Sequence, residues 1–167
     1  MHSHTTCFFS GYRPEKMPDH GRPGSSHTWA IQAQLERTLR DACQCGYRDF
    51  LCGMSRGFDT WAAETVCRLQ AEYPIRLISV LPFAGQEKTW SWEDQRRYHQ
   101  LILRSSQTFC LSPQASREAF LSRNRFMTER SSLLICYYDG QPGGTAYTVQ
   151  YARKQGKTIL NLADYSL

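Results

Sequence analysis

The stretch Tyr47-Arg-Asp-Phe-Leu-Cys52-Gly53-Met-Ser-Arg-Gly57-Phe-Asp59-Thr-Trp61-Ala-Ala-Glu64 passes from an apolar, β-rich run through two glycines into a segment of helical period. Residues 47–52 read as a buried strand. Residues 59–72 place Ala62, Ala63, Val66 and Leu69 on one stripe, and Pro74 closes the segment. A strand, a glycine turn and a helix start together aim backbone N–H groups at one point, which is the geometry of an anion cradle. The spacing is neither Gly-x-Gly-x-x-Gly nor a P-loop, because no Gly-Lys-Ser/Thr follows.

The same unit recurs along the chain. Apolar runs at 6–10, 75–81, 107–111, 132–138 and 158–162 join 47–52 as predicted strands, most of them apolar on both faces as buried parallel strands are. Helical periodicity fills the gaps at 28–45, 59–72, 90–104, 117–131 and 145–154. Strand and helix in alternation predict an α/β fold, a single Rossmann-like domain over residues 1–167 with a mainly parallel sheet and helices on both faces. The irregular stretch 11–26 holds three prolines and three glycines, and a long loop directly after a first strand is usually functional.

Composition narrows the classes. The 167 residues are 41% hydrophobic and 21% charged, which excludes a disordered tail, and the longest apolar runs fall far short of a spanning helix. Met1–Thr6 has no basic flank before its short apolar stretch, so the expectation is no signal peptide and a cytoplasmic setting. Seven cysteines at irregular spacing, with no Cys-x-x-Cys, predict free thiols and no metal site. The net charge of +5 is scattered rather than striped, and arginine dominates it. Arginine suits bidentate contact with phosphate, so a small anionic ligand is favoured over nucleic acid.

Ligands of open parallel sheets bind beyond the carboxyl ends of the strands. After the first strand, Gly11 admits close backbone approach and Arg13 offers a fork of donors. After the second, Gly53 and Gly57 open the cradle, with Asp59 as helix N-cap or ligand contact and Glu64 one turn further in. After the fifth, Asp139-Gly140-Gln-Pro-Gly143-Gly144-Thr145 forms a second cradle with Thr145 as N-cap and phosphate donor. Arg123-Asn124-Arg125 supplies charge from the fourth helix, with Arg123 and Met127 on one face. Trp90 and Trp92 read as base-stacking or lid residues, with core packing the safer assignment for one of them.

As an ordered set, Gly11-Tyr12-Arg13-Pro14, Gly53-x3-Gly57-x-Asp59-x2-Ala62-Ala63-Glu64, Arg123-Asn124-Arg125-x-Met127 and Asp139-Gly140-x2-Gly143-Gly144-Thr145 resemble the YpsA-like branch of the SLOG superfamily, which also holds the DprA and LOG proteins. Ser10 and Tyr12 depart from the usual Thr-Gly-His-Arg of the first motif, while Gly11 and Arg13 match. The resemblance implies a Rossmann-like sheet that binds a nucleotide or an NAD-derived nucleotide such as ADP-ribose, with no further cofactor. Similar proteins commonly form homodimers, and neither that interface nor a protein partner is marked in this sequence.

Three functions compete on this reading. The leading one is a nucleotide-binding or sensor domain using Gly11, Arg13, Gly53, Gly57, Asp59, Glu64, Arg125, Gly143, Gly144 and Thr145. The second is a nucleotide N-glycosidase of the phosphoribohydrolase type with Glu64 as acid or base. It is weakened because the stretch after Thr145 lacks the acidic residues that LOG-type hydrolases carry there. The third is DprA-like binding of single-stranded DNA, for which the expected lysine-rich groove is missing.

Overall fold

The structure, a computed structural model, describes residues 1–165. Six strands, β1 (Thr6–Ser10), β2 (Asp49–Cys52), β3 (Arg76–Phe83), β4 (Gln107–Ser112), β5 (Leu133–Cys136) and β6 (Thr158–Asn161), pair in parallel in the order β4-β3-β2-β1-β5-β6. Five helices alternate with them: α1 (Ser26–Gln44), α2 (Phe58–Leu69), α3 (Trp92–Arg104), α4 (Arg117–Glu129) and α5 (Gly144–Lys154). The predicted Rossmann-like α/β fold is the observed one.

Strand pleat sorts the core into two layers. Cys7, Phe9, Phe50, Cys52 and Leu77 face α1, α2 and α3, while Phe8, Leu51, Ile78 and Val80 face α4 and α5. Successive side chains point to opposite sides of a strand, so a sheet covered on both faces needs unbroken apolar runs. β4 departs from that rule: it lies at the sheet edge, and its Gln107, Thr108 and Cys110 are exposed.

The helix starts fall into two kinds. Ser25, Ser91 and Ser116 cap α1, α3 and α4, each accepting a backbone N–H from the first turn. At α2 and α5 the cap is instead a glycine, Gly57 or Gly143, with positive φ and no side-chain cap bond. Asp59 and Thr145 are therefore not the caps that their sequence positions suggested; each is the second residue of its helix. Strand order reverses between β1 and β5, so the loops after these two strands part and leave a crevice.

Candidate functional site

A cleft of about 560 Å³ opens at this reversal point. Gly11, Arg13 and Lys16 line it from the loop after β1, Ser55 from the turn after β2, and Asp59 from the start of α2. Arg117, Phe120 and Arg123 line it from α4, and Gly143, Gly144, Thr145 and Tyr147 from α5. Gly11, Arg13 and the last glycine turn thus meet at one place, and the turn after β2 contributes Ser55 rather than its glycines.

The walls are braced by bonds that the ligand need not supply. Tyr12 is buried, and its hydroxyl donates to Asp139 Oδ1 at 2.8 Å while accepting the N–H groups of Asp139 and Gln141, each at 3.1 Å. Burial and the Asp139 carboxylate push the Tyr12 phenol up to about 12, so it remains a donor at neutral pH. Lys16 Nζ donates to Pro142 O at 2.6 Å, tying the first loop to the last glycine turn. On the other side Arg56 pairs with Glu15 at 2.6 Å.

Gly53 and Gly57 lie behind the wall and shape it. Arg123, buried beneath the cleft, donates to Gly53 O at 2.8 Å and reaches Asn124 Oδ1 at 3.1 Å. A Cβ on Gly53 would lie 2.6 Å from the Arg123 guanidinium. A Cβ on Gly57, whose φ is +83°, would lie 2.5 Å from Tyr12 O. These glycines let α4 and the first loop close onto the β2–α2 turn. Met54, between them, holds φ at 60°, an uncommon conformation for a non-glycine residue.

Electrostatics give the cleft its sign. Arg13 and Arg117 are exposed and make no side-chain hydrogen bond or ion pair among the described residues. The start of α5 has no side-chain cap, and its Gly143, Gly144 and Thr145 line the same cleft. Burial lowers the affinity of the Arg123 guanidinium for its proton, and the nearby Asp59 acts against this; the group stays charged because arginine starts so high. Asp59 is buried, accepts the Ser55 N–H at 3.2 Å, and is raised by desolvation from the ordinary 3.8 to about 6.

Besides Gly53 and Gly57, two more predicted site residues do not line the cleft. Glu64 points away from the cleft and holds Arg97 of α3 in a two-pronged ion pair at 3.0 Å, in a separate groove between α2 and α3. The helical turn from Asp59 to Glu64, about 100° per residue, carries Glu64 round to that neighbour. Arg125 is bonded to Tyr147 Oη at 3.2 Å, to Ser122 Oγ at 3.1 Å and to Glu118, outside the cleft lining. Arg123, two residues earlier, occupies the inward position. Neither tryptophan lines the cleft: Trp90 packs on Tyr98, and Trp92 is exposed beneath Arg96.

Lys16, Ser55, Arg117, Phe120 and Tyr147 are lining residues that the sequence reading did not single out. The rule that helix starts gather at the carboxyl edge of the sheet, applied to α4, would have found Arg117 and Phe120. Phe120 stands between polar and apolar parts of the wall, with the guanidinium carbons of Arg13 and Arg123 at 5.6 Å and 5.5 Å from its ring centre.

Sheet order and crevice define a Rossmann-like α/β protein with a cationic cleft at its topological switch point. The chain belongs to the YpsA family, whose model, described as the YspA SLOG family, matches residues 7–164. A UPF0398 protein of Bacillus cereus strain G9842 is 32% identical over 157 residues, covering 89% of this chain and 82% of its own length. A UPF0398 protein of Bacillus thuringiensis strain Al Hakam matches to the same extent. Among solved structures, DNA processing protein A of Streptococcus pneumoniae superposes with a TM-score of 0.63 at 14% identity, over 93% of this chain and 49% of that one. DNA processing protein A of Helicobacter pylori, described with a single-stranded DNA binding mode, also gives 0.63, at 15% identity over 94% and 64%. These two likenesses establish the fold. No helix among the described residues is long and apolar enough to cross a membrane, and no cluster of three metal-ligating side chains occurs among them.

Proposed function

We propose that the cleft binds a nucleotide or NAD-derived nucleotide, and that the protein acts as a ligand-binding or sensor domain. The observation that carries this reading is the convergence of two uncommitted guanidiniums, Arg13 and Arg117, on the uncapped start of α5. Hydrogen-bond donors without partners beside a helix N-terminus favour an oxyanion. Phe120 and Tyr147 offer aromatic surface for the remainder of a nucleotide in the same cleft.

Glycosidase chemistry has less support. Its expected acid, Glu64, is paired with Arg97, which leaves Asp59 and Glu15 as the carboxylates in the cleft wall. Asp59 favours the enzyme reading by one property, a proton affinity near the working range of a general acid. Single-stranded DNA binding draws on the two structural neighbours, and the cations of the cleft are Arg13, Arg117 and Arg123 with Lys16 rather than the lysine-rich groove expected for it.

A thermal-shift panel of AMP, ADP, ADP-ribose, NAD, cyclic nucleotides and a short single strand separates the three readings. A ligand at about 100 times its Kd stabilises by about 2.7 kcal/mol. A shift with the compound recovered intact supports the binding domain, and a shift with free base released supports the glycosidase. A response to the single strand alone, steeply weakened by salt, supports the DNA reading. No shift with any compound overturns all three.

A further inference from the structure

Asp59 stands out among the charged groups of the cleft because it has the wrong sign for its surroundings. It is 5% exposed, yet it lines a cleft whose other inward-facing charges are mostly cationic. Its single hydrogen bond among the described residues comes from the Ser55 N–H to Oδ2, leaving Oδ1 without a partner. Arg123 faces it from α4, Arg13 from the loop after β1, and the Cys52 thiol from the end of β2. None of the arginines closes an ion pair with it; Arg123 commits its donors to Gly53 O, Ser55 Oγ and Asn124. Glu15, the other carboxylate in the wall, is exposed and already paired with Arg56.

An anion held by Arg13, Arg117 and the start of α5 would lie in the same cleft as this carboxyl. Two like charges at close range in a partly desolvated site repel strongly, and protonating one of them removes the repulsion. Protonation also turns an acceptor into a donor, which a phosphate oxygen requires. We propose that Asp59 engages the ligand as a neutral carboxylic acid, donating a hydrogen bond to an oxyanion oxygen, so that binding takes up one proton from solution. No covalent bond of the ligand changes; the proton moves from buffer to the Asp59 carboxylate. The ligand group so recognised is an acceptor without hydrogens of its own, such as a phosphodiester or pyrophosphate.

This inference rests on the oxyanion reading of the cleft and adds a role for one residue within it. Burial has already brought the carboxyl to about 6, so its protonation at pH 7 is disfavoured about tenfold, against more than a thousandfold for an ordinary aspartate.

Isothermal titration with ADP-ribose tests it, because its pyrophosphate is esterified at both ends and keeps a fixed charge across the neutral range, unlike a terminal phosphate. Sulfate, an anion of fixed charge, is the second probe. The heats are compared at pH 7 in buffers of different ionisation enthalpy, and Kd is compared at pH 5.5 and pH 7.5. The expected results are uptake approaching one proton and affinity up to about 25-fold tighter at the lower pH. Asp59→Asn, first checked for a cooperative melt, is expected to bind with no proton uptake and no such pH dependence. Equal Kd at both pH values with buffer-independent heats in the wild type overturns the proposal while leaving the cleft reading intact. Failure of both probes to bind at either pH overturns the oxyanion reading and the proposal together. If the variant does not fold, the wild-type buffer dependence decides alone.

Discussion

Replacing Tyr12 by phenylalanine removes one oxygen from the junction of the β1 and β5 loops. That oxygen serves three bonds, one to the Asp139 carboxylate and two from the N–H groups of Asp139 and Gln141. The ring keeps its edge contacts with Tyr137 and Tyr138, with centroids at 6.1 Å and 6.4 Å, so little packing is lost. A net contribution near 1 kcal/mol for each neutral bond, and about twice that for the charged one, sums to about 4 kcal/mol. Asp139 is exposed and water re-solvates part of what is freed, so the expected loss is about 2–3 kcal/mol. Urea unfolding measures it as a lower midpoint at unchanged slope. Hydrogen exchange supplies an independent check, since the Asp139 and Gln141 amides should exchange faster while those of the β3–β4 half keep their protection. Ligand affinity should fall as well, because Gly143 and Gly144 follow directly from the loosened turn. Stability within about 0.5 kcal/mol of wild type, with unchanged exchange at 139 and 141, would refute the assignment of this hydroxyl as the clasp.

Asp59→Asn is expected to stabilise the unliganded protein at neutral pH. The carboxyl binds its proton more tightly when folded, about 6 against 3.8, so native stability declines as pH rises between those values. Above pH 6 the deficit is constant at about 3 kcal/mol, and thermal melts of the variant should show that gain at pH 7.5 and little of it at pH 3.5. Gly57→Ala places a side chain against Tyr12 O at a φ of +83° and should destabilise by about 3 kcal/mol or more, read in the same melts. Glu64→Gln, in contrast, breaks a half-exposed pair with Arg97 and should shift stability by no more than about 1 kcal/mol, leaving nucleotide affinity unchanged by titration.

The alternation of apolar runs and helical segments made the architecture legible, because each buried strand of a doubly covered sheet must be apolar on both faces. Both ends of β1 match its run, and no other strand or helix boundary differs by more than three residues. The clustering of Gly11, Arg13 and the last glycine turn was readable from one rule, that ligands meet the carboxyl ends of parallel strands. Rotational phase was harder. Glu64 and Arg125 carry the right chemistry at the right depth along their helices, but each lies on the wrong side, and only its neighbours, Arg97 and Glu118, reveal that. Tyr12 was visible only as a departure from a histidine. Its partners are more than a hundred residues away in sequence, and strand order alone brings β1 beside β5.

The division of the helices between the two faces has a consequence for biosynthesis. Residues 6–112 contain β1 through β4 and all three helices of one face, whereas α4 and α5 follow at 117–154. A growing chain that has assembled its first four strands therefore presents Phe8, Leu51, Ile78 and Val80 to water until the last two helices leave the ribosome. An apolar sheet face uncovered for that interval is a surface on which chaperones act and nascent chains aggregate. Folding yield in the cell should accordingly depend on how quickly the segment from α4 onward is delivered, more than on any residue of the cleft.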